Sequence, residues 1–478
     1  MVKSFHRMIF ATTAAAALLA AGEASAISLK DSIAISIDAN PEIGQAIENR
    51  EAIQFELRQA AGLFLPSVDV EGSLGVRRLN SPSRRALGID DDALYPADIG
   101  VTATQNIFDG YERRGELERQ AARVDGASFR VLERSEFIAL QVTREYFEIL
   151  LQHRIIANIR QNVAFHRQIH GNISAGESSG SLTAADRQQA QERLFAARAQ
   201  LKQAEEDLAS AKIRFNKLVG VPVGSPGLPP AISHALPRSL QDAIGTARQN
   251  NPRIKIATAD IDAAAALVKK ARAGYYPKLF VEGRARTGHD IDGAEGHTDD
   301  LQGRVVMKWN VFRGGIDAAN EQEQIRRTSE ERLQLHQVHR EVEEAVRISW
   351  ERKHRQRELA SIYGQQLNTN KQLVSSYRQQ FGVGQRSLLD VLDAQNSRFN
   401  SAVLRDTAVY ASRFADWRLL AATGTLLDTL SLSAPEQAVA IAREEVGVPP
   451  TPPAETYRRT KPADGAPLDL LKVLSGGS

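Results

Sequence analysis

The feature that most constrains this chain is an internal repeat, because a duplicated sequence is expected to fold into two similar units. The stretch SLKDSIAISIDANPEIGQA begins at Ser28, and the similar stretch SLQDAIGTARQNNPRIKIA begins at Ser239. Downstream, NIFDG (106–110) corresponds to NVFRG (310–314). Further corresponding pairs have identical residues: Gly180 and Gly384, Asp186 and Asp390, Ala190 and Ala394, Gly220 and Gly424. The chain is therefore predicted to contain one structural unit twice.

Each unit begins with a helical stretch and continues into two strands. The helical stretches, 28–62 and 239–273, are interrupted near an Asn-Pro pair, because proline disfavours helix in the residue before it. In PSVDVEGSLGV (66–76), apolar and polar residues then alternate with a period of two, which is typical of a strand with two different faces. Strands of about ten residues with this alternation suit a tilted membrane strand. The half-buried strands of a soluble sandwich show the same alternation.

A longer period follows each pair of strands. Residues 111–175 contain no proline, and their apolar residues recur every seventh position at Leu117, Val124, Val131 and Ile138. A sustained heptad pattern of this kind is typical of coiled coils. Residues 183–218 form a second helical segment, and 315–380 with 386–423 repeat the pair. The pattern predicts a long antiparallel helical hairpin after each strand pair.

These patterns predict four segments. The N-terminal 1–26 is a secretory signal peptide, and 431–478 is a proline-rich C-terminal periplasmic segment that is disordered from about 446. The first repeat covers 27–238, with a helix, a strand pair (66–108), long helices (111–219) and a linker (220–238). The second repeat covers 239–430, with a helix, a strand pair (277–312) and long helices (315–424).

The N-terminus predicts export. Lys3 and Arg7 precede an apolar run that ends in Ala24-Ser25-Ala26, an A-x-A cleavage pattern. Beyond it, no window of 18 consecutive apolar residues indicates a transmembrane helix. The chain has no cysteine, which excludes disulfides, cysteine-ligated metals and a lipid-modified cysteine. With 60 basic and 58 acidic residues, the net charge of +2 gives no reason to expect nucleic acid binding.

Two motifs resemble a catalytic and a metal-binding sequence, but their sequence contexts favour other interpretations. GESSG (176–180) matches the nucleophile elbow of hydrolases, but that elbow requires a preceding strand, and here the preceding residues are helical. A turn between helices is the better interpretation. The loop HDIDGAEGHTDD (289–300) has histidines and carboxylates but lacks the ligand spacing of a calcium loop, which favours a solvated acidic loop. We expect no enzyme activity, no cofactor and no metal site.

Asp390 and Asp393 are the most informative charged residues. They lie three residues apart, on one face of a helix and close to its start. An acid/base pair, a metal site, a ring of charge in a pore, and ordinary acids at a helix N-terminus are all compatible with this spacing. In the first repeat Asp186 corresponds to Asp390, whereas Gln189 replaces Asp393. Only one of the two acids is therefore present in both repeats. This fits a ring of charge contributed by several chains better than a catalytic site.

The number of strands constrains assembly. Four membrane strands cannot close a barrel, because the smallest membrane barrels have about eight. An open sheet in lipid would leave unpaired backbone groups at its edges, each at a cost of several kcal/mol. Membrane strands would therefore have to be shared between chains. Three chains would supply twelve strands, with twelve long helices that enclose a tunnel.

The chain resembles the TolC family of outer-membrane exit ducts over roughly residues 28–430. The resemblance is carried by VGQRSLLDVLDAQNSRFNSA (383–402), by ATGTLLDTL (422–430), by the duplicated Asn-Pro pairs and by the NIFDG and NVFRGG strand ends. It implies a mainly α fold with a membrane β-barrel part, in which each duplicated unit has a β-hairpin and a long antiparallel helical hairpin. It also implies a homotrimer with a 12-stranded barrel in the outer membrane and an α-helical tunnel that extends into the periplasm.

The resemblance also assigns roles to residues. Asp390 and Asp393 would constrict the tunnel, Arg386 would form a gate latch with Asp186, and Gly180 and Gly384 would be hairpin tips that contact the adaptor. Phe381 occupies the position of a tyrosine that contributes to the closed state in the family. The implied partners are a periplasmic adaptor (membrane fusion) protein, an inner-membrane ABC or other exporter, and outer-membrane lipid.

The sequences GQRSLLDVLDAQN and GTLLDTL resemble those of members that serve type I (ABC-driven) protein secretion. A multidrug or small-molecule efflux channel is the alternative. A soluble periplasmic coiled-coil adaptor is a third interpretation, and it would not need two amphipathic strand pairs.

Overall fold

The structure is a computed structural model that describes residues 27–293 and 295–449. The predicted signal peptide and most of the tail that is predicted to be disordered from about 446 lie outside the described residues. The first half of the chain has these elements: α1 (Leu29–Ala39), α2 (Pro41–Gly62), β1 (Ser67–Leu74), β2 (Arg77–Arg78), α3 (Pro82–Leu87), β3 (Ala93–Leu94), β4 (Ala97–Phe108), α4 (Glu112–Ser178) and α5 (Ala184–Val219). The second half has these: α6 (Leu240–Asn250), α7 (Pro252–Ala271), β5 (Lys278–His289), β6 (His297–Lys308), α8 (Ile316–Gly382), α9 (Leu388–Thr423), α10 (Leu426–Thr429) and α11 (Ala442–Val446).

Both predicted breaks at Asn-Pro are present. Helix α1 ends before Asn40, α2 begins at Pro41, and the second half repeats the break between α6 and α7. The side chain of Asn251 accepts a hydrogen bond from the Arg253 N–H and caps α7. Proline is well suited to the first helical position, since its missing N–H is not needed there. The Asn-Pro pair therefore ends one helix and starts the next.

The four long helices predicted from the heptad pattern are also present. Helices α4 and α8 have 67 residues each, and α5 and α9 have 36 each. The heptad residues Val124, Val131 and Ile138 of α4 are buried, as a helix-packing seam requires. None of the helices in the described ranges is both long and apolar enough to cross a membrane.

The described residues separate into two compact units, and each unit contains segments from both halves of the sequence. Unit 1 consists of the residues up to Gly44 together with Arg134–Ala247 and Glu344–Ala434. Unit 2 consists of Gln45–Glu133, Arg248–Glu343 and the residues from Pro435 onward. The two units are defined by which residues lie close together in space and not by sequence similarity. The division of the sequence into two repeats therefore stays a prediction.

Unit 2 contains an antiparallel sheet with the strand order β1-β4-β5-β6. Its register places Val70, Val101, Ala285 and Leu301 side by side across all four strands. The next residues along the strands, Glu71, Gly100, Arg286 and Asp300, form a row on the opposite face. The sheet therefore has one apolar and one polar face. Among the described residues, its outer strands β1 and β6 each have one edge without a neighbouring strand.

The segment between β1 and β4 contains two short strands and a short helix. Strands β2 and β3 pair, and α3 begins at Pro82 after the N-cap Ser81 and ends at Gly88 in the left-handed conformation. The buried Arg84 side chain donates to the Ile89 carbonyl at 2.6 Å. A charged side chain is therefore buried inside this segment together with Leu94, which the alternation pattern could not indicate.

Candidate functional site

Both helical hairpins of unit 1 turn at a glycine. Gly180 and Gly384 have φ angles of +77° and +73°, a conformation that side chains with a Cβ rarely adopt. Next to Gly180, the Ser181 N–H donates to the Gly176 carbonyl at 2.9 Å, which is part of the Schellman pattern that ends helices. A Cβ added at either turn glycine would meet nothing within 4 Å. The predicted tips are therefore exposed turns, and GESSG lies at a helix end, as expected.

The helix after each turn begins with the same capping box. In α5, Thr183 Oγ1 accepts from the Asp186 N–H at 3.2 Å, and Asp186 accepts from the Thr183 N–H at 3.0 Å. In α9, Ser387 and Asp390 form the equivalent bonds at 3.2 and 3.3 Å. The hydrogen bonds from Thr183 hold the pKa of the Asp186 carboxyl below its usual range. Capping explains why an acid occurs at this position in both repeats.

Asp393 lies one turn further along α9 and has a different environment. Its side chain is 62% exposed, and Arg193 Nη2 of α5 is 3.9 Å from its Oδ1. Gln189, the corresponding residue of the first repeat, has no charge. Local helix formation therefore accounts for Asp390 but not for Asp393, and Asp393 is the stronger candidate for a role in the pore.

Arg386 has three neighbours in its own hairpin. Its Nε donates to Gln380 Oε1 at 2.9 Å, its guanidinium lies 4.4 Å from the centre of the Tyr377 ring, and its Nη1 is 3.9 Å from Asp390 Oδ2. Within the described part of the chain, no ion pair joins Arg386 to Asp186. The predicted latch therefore requires a rearrangement or a second chain, and it stays a prediction.

Phe381 belongs to the small hydrophobic core below the turns. It packs against a cluster of five buried residues: Ile169, Ile173, Ala190, Leu388 and Leu392. A phenyl ring without a hydroxyl suits this apolar position. The ring thus contributes packing to the hairpin tip, where a tyrosine would also bring a hydrogen-bond donor.

Two buried polar arrangements were not indicated by any sequence pattern. In unit 1, Glu136 is 6% exposed and accepts a hydrogen bond from the Leu427 N–H at 3.2 Å. In unit 2, Arg443 bridges two buried carboxylates, with Nε 2.8 Å from Asp125 and Nη1 2.6 Å from Asp262. These contacts attach α10 to α4 and α11 to α4 and α7. No sequence pattern indicated these contacts, because each residue taken alone resembles an ordinary charged surface residue.

The acidic loop between β5 and β6 is organised around Asp290. Asp290 accepts hydrogen bonds from the Gly296 N–H at 2.9 Å and from the Tyr95 N–H at 3.3 Å, so it stabilises the turn. Across the described ranges, no group of histidine and carboxylate side chains is arranged to hold a metal ion. The local geometry agrees with a structural role for this loop.

The apolar face of the sheet has exposed side chains in the single chain. Leu74, Leu301 and Val305 are 88%, 87% and 72% exposed. At the end where the strands meet the helices, Phe108, Tyr111 and Tyr276 pack edge to face, with ring centres 5.8 to 6.4 Å apart. Apolar strand faces bordered by aromatic residues are typical of membrane β-strands.

Comparison with known proteins agrees with this geometry. The model of the outer membrane efflux protein family matches residues 33–221 and 243–425, which is most of the chain. The chain belongs to the outer membrane efflux protein family. The assignment confirms the predicted fold class and the location in the outer membrane with an extension into the periplasm. It also excludes the soluble adaptor interpretation.

Two relatives and one solved structure show the extent of the likeness. Outer membrane efflux protein BepC of Brucella suis is 22% identical over 360 residues, which cover 75% of this chain and 77% of BepC. Protein CyaE of Bordetella pertussis is 25% identical over 257 residues, 53% of each chain. The crystal structure of the Campylobacter jejuni CmeC outer membrane channel superposes with a TM-score of 0.73 at 15% identity, over 87% of this chain and 89% of CmeC.

The family assignment defines the general activity. This protein is an outer-membrane efflux channel of the kind that works in tripartite systems. Channels of the family form trimers and operate with an adaptor and an inner-membrane pump.

Proposed function

We propose that this chain is the homotrimeric exit duct of a type I secretion system, which passes protein cargo from an inner-membrane ABC exporter and a periplasmic adaptor to the exterior. The observation that supports the pore most directly is the register of the sheet. Because apolar and polar residues line opposite faces across all four strands, the sheet is suited to lipid on one side and water on the other.

The free edges of β1 and β6 support the trimer. In lipid, unpaired edge groups cost several kcal/mol each, so each edge needs a partner strand. Pairing of β6 in one chain with β1 of the next satisfies both edges. Three chains then close a barrel of twelve strands, an even number within the range of bacterial membrane barrels. The long helices of three chains continue as a water-filled tunnel.

The hairpin turns supply the proposed gate. Asp390 and Asp393 from three chains place six carboxylates in one constriction, which favours cations and disfavours anions. Arg386 contacts Gln380 and Tyr377 of its own hairpin, and in the proposed closed state it exchanges these contacts for Asp186 of a neighbouring hairpin. This exchange is the proposed latch of the closed state. Gly180 and Gly384, which face open space, are the proposed contacts for the adaptor.

Type I secretion is favoured over multidrug efflux by the sequence around the second turn. The stretch GQRSLLDVLDAQN, which forms the turn and about the first two and a half turns of α9, resembles members that export proteins. The absence of cysteine also fits, since members that serve multidrug pumps commonly have a lipidated N-terminal cysteine. Multidrug efflux stays the alternative.

Deletion of the gene in its native bacterium separates these two functions. We expect specific proteins to disappear from the culture medium, while susceptibility to a panel of dyes, detergents and antibiotics stays unchanged. Wild-type protein should restore secretion, and cross-linking in the membrane fraction should give a trimer. Increased drug susceptibility with an unchanged set of secreted proteins would favour multidrug efflux. Recovery of the protein as a soluble monomer would contradict the pore itself.

A further inference from the structure

Two lysines lie side by side at one end of the sheet. Lys278 is the first residue of β5, Lys308 is the last residue of β6, and the register pairs them directly. Both belong to the polar face, because they are an even number of residues from Glu282 and Arg304, which pair on that face. Like charges directly opposite each other destabilise a sheet. Such a pair is therefore expected only where something compensates the charge.

The charges on the polar face are graded along the strands. Near the connecting loops the face contains the acids Glu71, Asp98 and Asp300 with a single arginine, Arg286. In the middle, Arg304 binds Glu282 at 2.5 Å, so these charges cancel. The lysine pair lies at the opposite end, where the strands join the helices. The polar face thus changes from acidic at the loop end to basic at the helix end.

The two lysines are not equally compensated. Lys278 Nζ lies 2.5 Å from Glu112 Oε2 at the start of α4. The Lys308 ammonium lies 5.1 Å from the centre of the Phe280 ring, a contact that leaves its charge in place. Within the described ranges, no carboxylate is within ion-pair distance of Lys308. Among the described residues, Lys308 is therefore an uncompensated cation at this end of the sheet.

Neighbouring side chains show where the lysines lie relative to the membrane. Tyr276 precedes Lys278 by two residues, and Trp309 follows Lys308 directly. Trp309 Nε1 donates to the Tyr275 carbonyl at 3.3 Å, which holds the indole against the start of the neighbouring strand. Aromatic residues of this kind mark the boundary between lipid and water. The lysine pair is therefore at the level of the periplasmic membrane surface, on the face away from lipid.

We propose that Lys278 and Lys308 form a basic ring at the entrance from the tunnel into the barrel, which binds clustered phosphate or carboxylate groups of passing solutes. This inference rests on the proposed trimeric pore, since the polar face then lines the lumen. Three chains contribute six lysines, three of which have a nearby glutamate. Rings of lysine or arginine are the usual means by which pores attract anions. The ring has the opposite sign to the proposed aspartate constriction at the hairpin tips.

Single-channel recording with inorganic triphosphate tests the ring. Purified trimer in a planar bilayer should be blocked by triphosphate, and Lys308→Gln should raise the half-blocking concentration by about tenfold, the loss expected for one charge-assisted contact. Lys308→Arg is the matched control, because it preserves the charge. We expect this variant to be blocked as strongly as the wild type.

The outcomes distinguish the inference from the proposed function. If the wild type forms channels that triphosphate does not block, or if Lys308→Gln is blocked as strongly as the wild type, the basic ring is wrong while the pore stands. If Lys308→Gln and Lys308→Arg lose block equally, the effect is structural and the ring is again wrong. If the trimer conducts no current at all, the proposed pore itself fails, and the ring fails with it.

Discussion

Replacement of Glu136 by glutamine should stabilise this protein, and the gain should depend on pH. The carboxyl lies in the interior of unit 1, where its Oε1 accepts the Leu427 N–H and its Oε2 is buried with no hydrogen-bond partner among the described residues. Burial, with the nearby Asp428 carboxylate acting in the same direction, raises the pKa of Glu136 from 4.5 to about 7. The ionised form is therefore disfavoured in the folded protein.

The direction of this pH dependence follows from proton binding in the folded and unfolded states. Below about pH 4.5 the carboxyl is protonated in both the folded and the unfolded chain, and it contributes no difference. As the pH rises from 4.5 to 7, the unfolded chain loses the proton first, so the folded state becomes less stable. Above pH 7 the full shift applies, which at 1.36 kcal/mol per pKa unit amounts to about 3 kcal/mol. Glutamine has the same shape and no charge, so it avoids this cost.

Amide hydrogen exchange of residues 426–429 in the detergent-solubilised protein measures this change in stability locally, since Glu136 accepts a hydrogen bond from one of these amides. The extra protection of these amides in Glu136→Gln, compared with the wild type, should be small at pH 5 and should increase to a plateau above pH 7. Urea unfolding followed by helical circular dichroism should show the same trend. Glu148→Gln, on the same helix but partly exposed, is the control. A gain that is equal at pH 5 and pH 8, or no gain at pH 8, would refute the reasoning.

Three further substitutions test other parts of the structure. Arg443→Met should lower the free energy of unfolding by about 3–5 kcal/mol, because it removes the cation that bridges two buried carboxylates; neutralising both of them should restore the urea midpoint. Gly110→Ala should cost at least about 2 kcal/mol, since Gly110 has a φ of +70° and a Cβ there would lie 2.8 Å from the Tyr276 Cβ. Gly384→Trp should stop secretion while the cross-linked trimer persists, and Gly384→Asn, which tolerates the left-handed conformation, should secrete normally. Normal secretion by the tryptophan variant would argue against the tip contact.

Features that depend on neighbours along the chain could be predicted from the sequence. The Asn-Pro breaks, the alternation in the strands and the heptad seams each follow from a short stretch of residues, and each is present. The two turn glycines were also found, because their positions correspond in both repeats. Local patterns are reliable here because the same backbone hydrogen bonds form wherever such a stretch occurs.

Features that join distant segments could not be predicted in this way. Arg443 meets Asp125 across 318 positions and Asp262 across 181, and no pattern in a single sequence associates these residues. The adjacency of β4 and β5, which belong to different repeats, was likewise not indicated by the alternation. For Asp390, the sequence left several roles open, and only the hydrogen bonds of the structure show that it caps its helix.

The two capping boxes have a consequence for symmetry. In the proposed trimer, two turns per chain give six turns of nearly the same backbone shape, each with a left-handed glycine and a capped helix start. The scaffold of the tip therefore approaches sixfold symmetry, although the chain repeats only three times. Asp393 and Gln189 occupy equivalent positions with different charge, so the electrostatic surface keeps threefold symmetry. A partner that recognises backbone shape would meet six equivalent positions, whereas an ion would meet three.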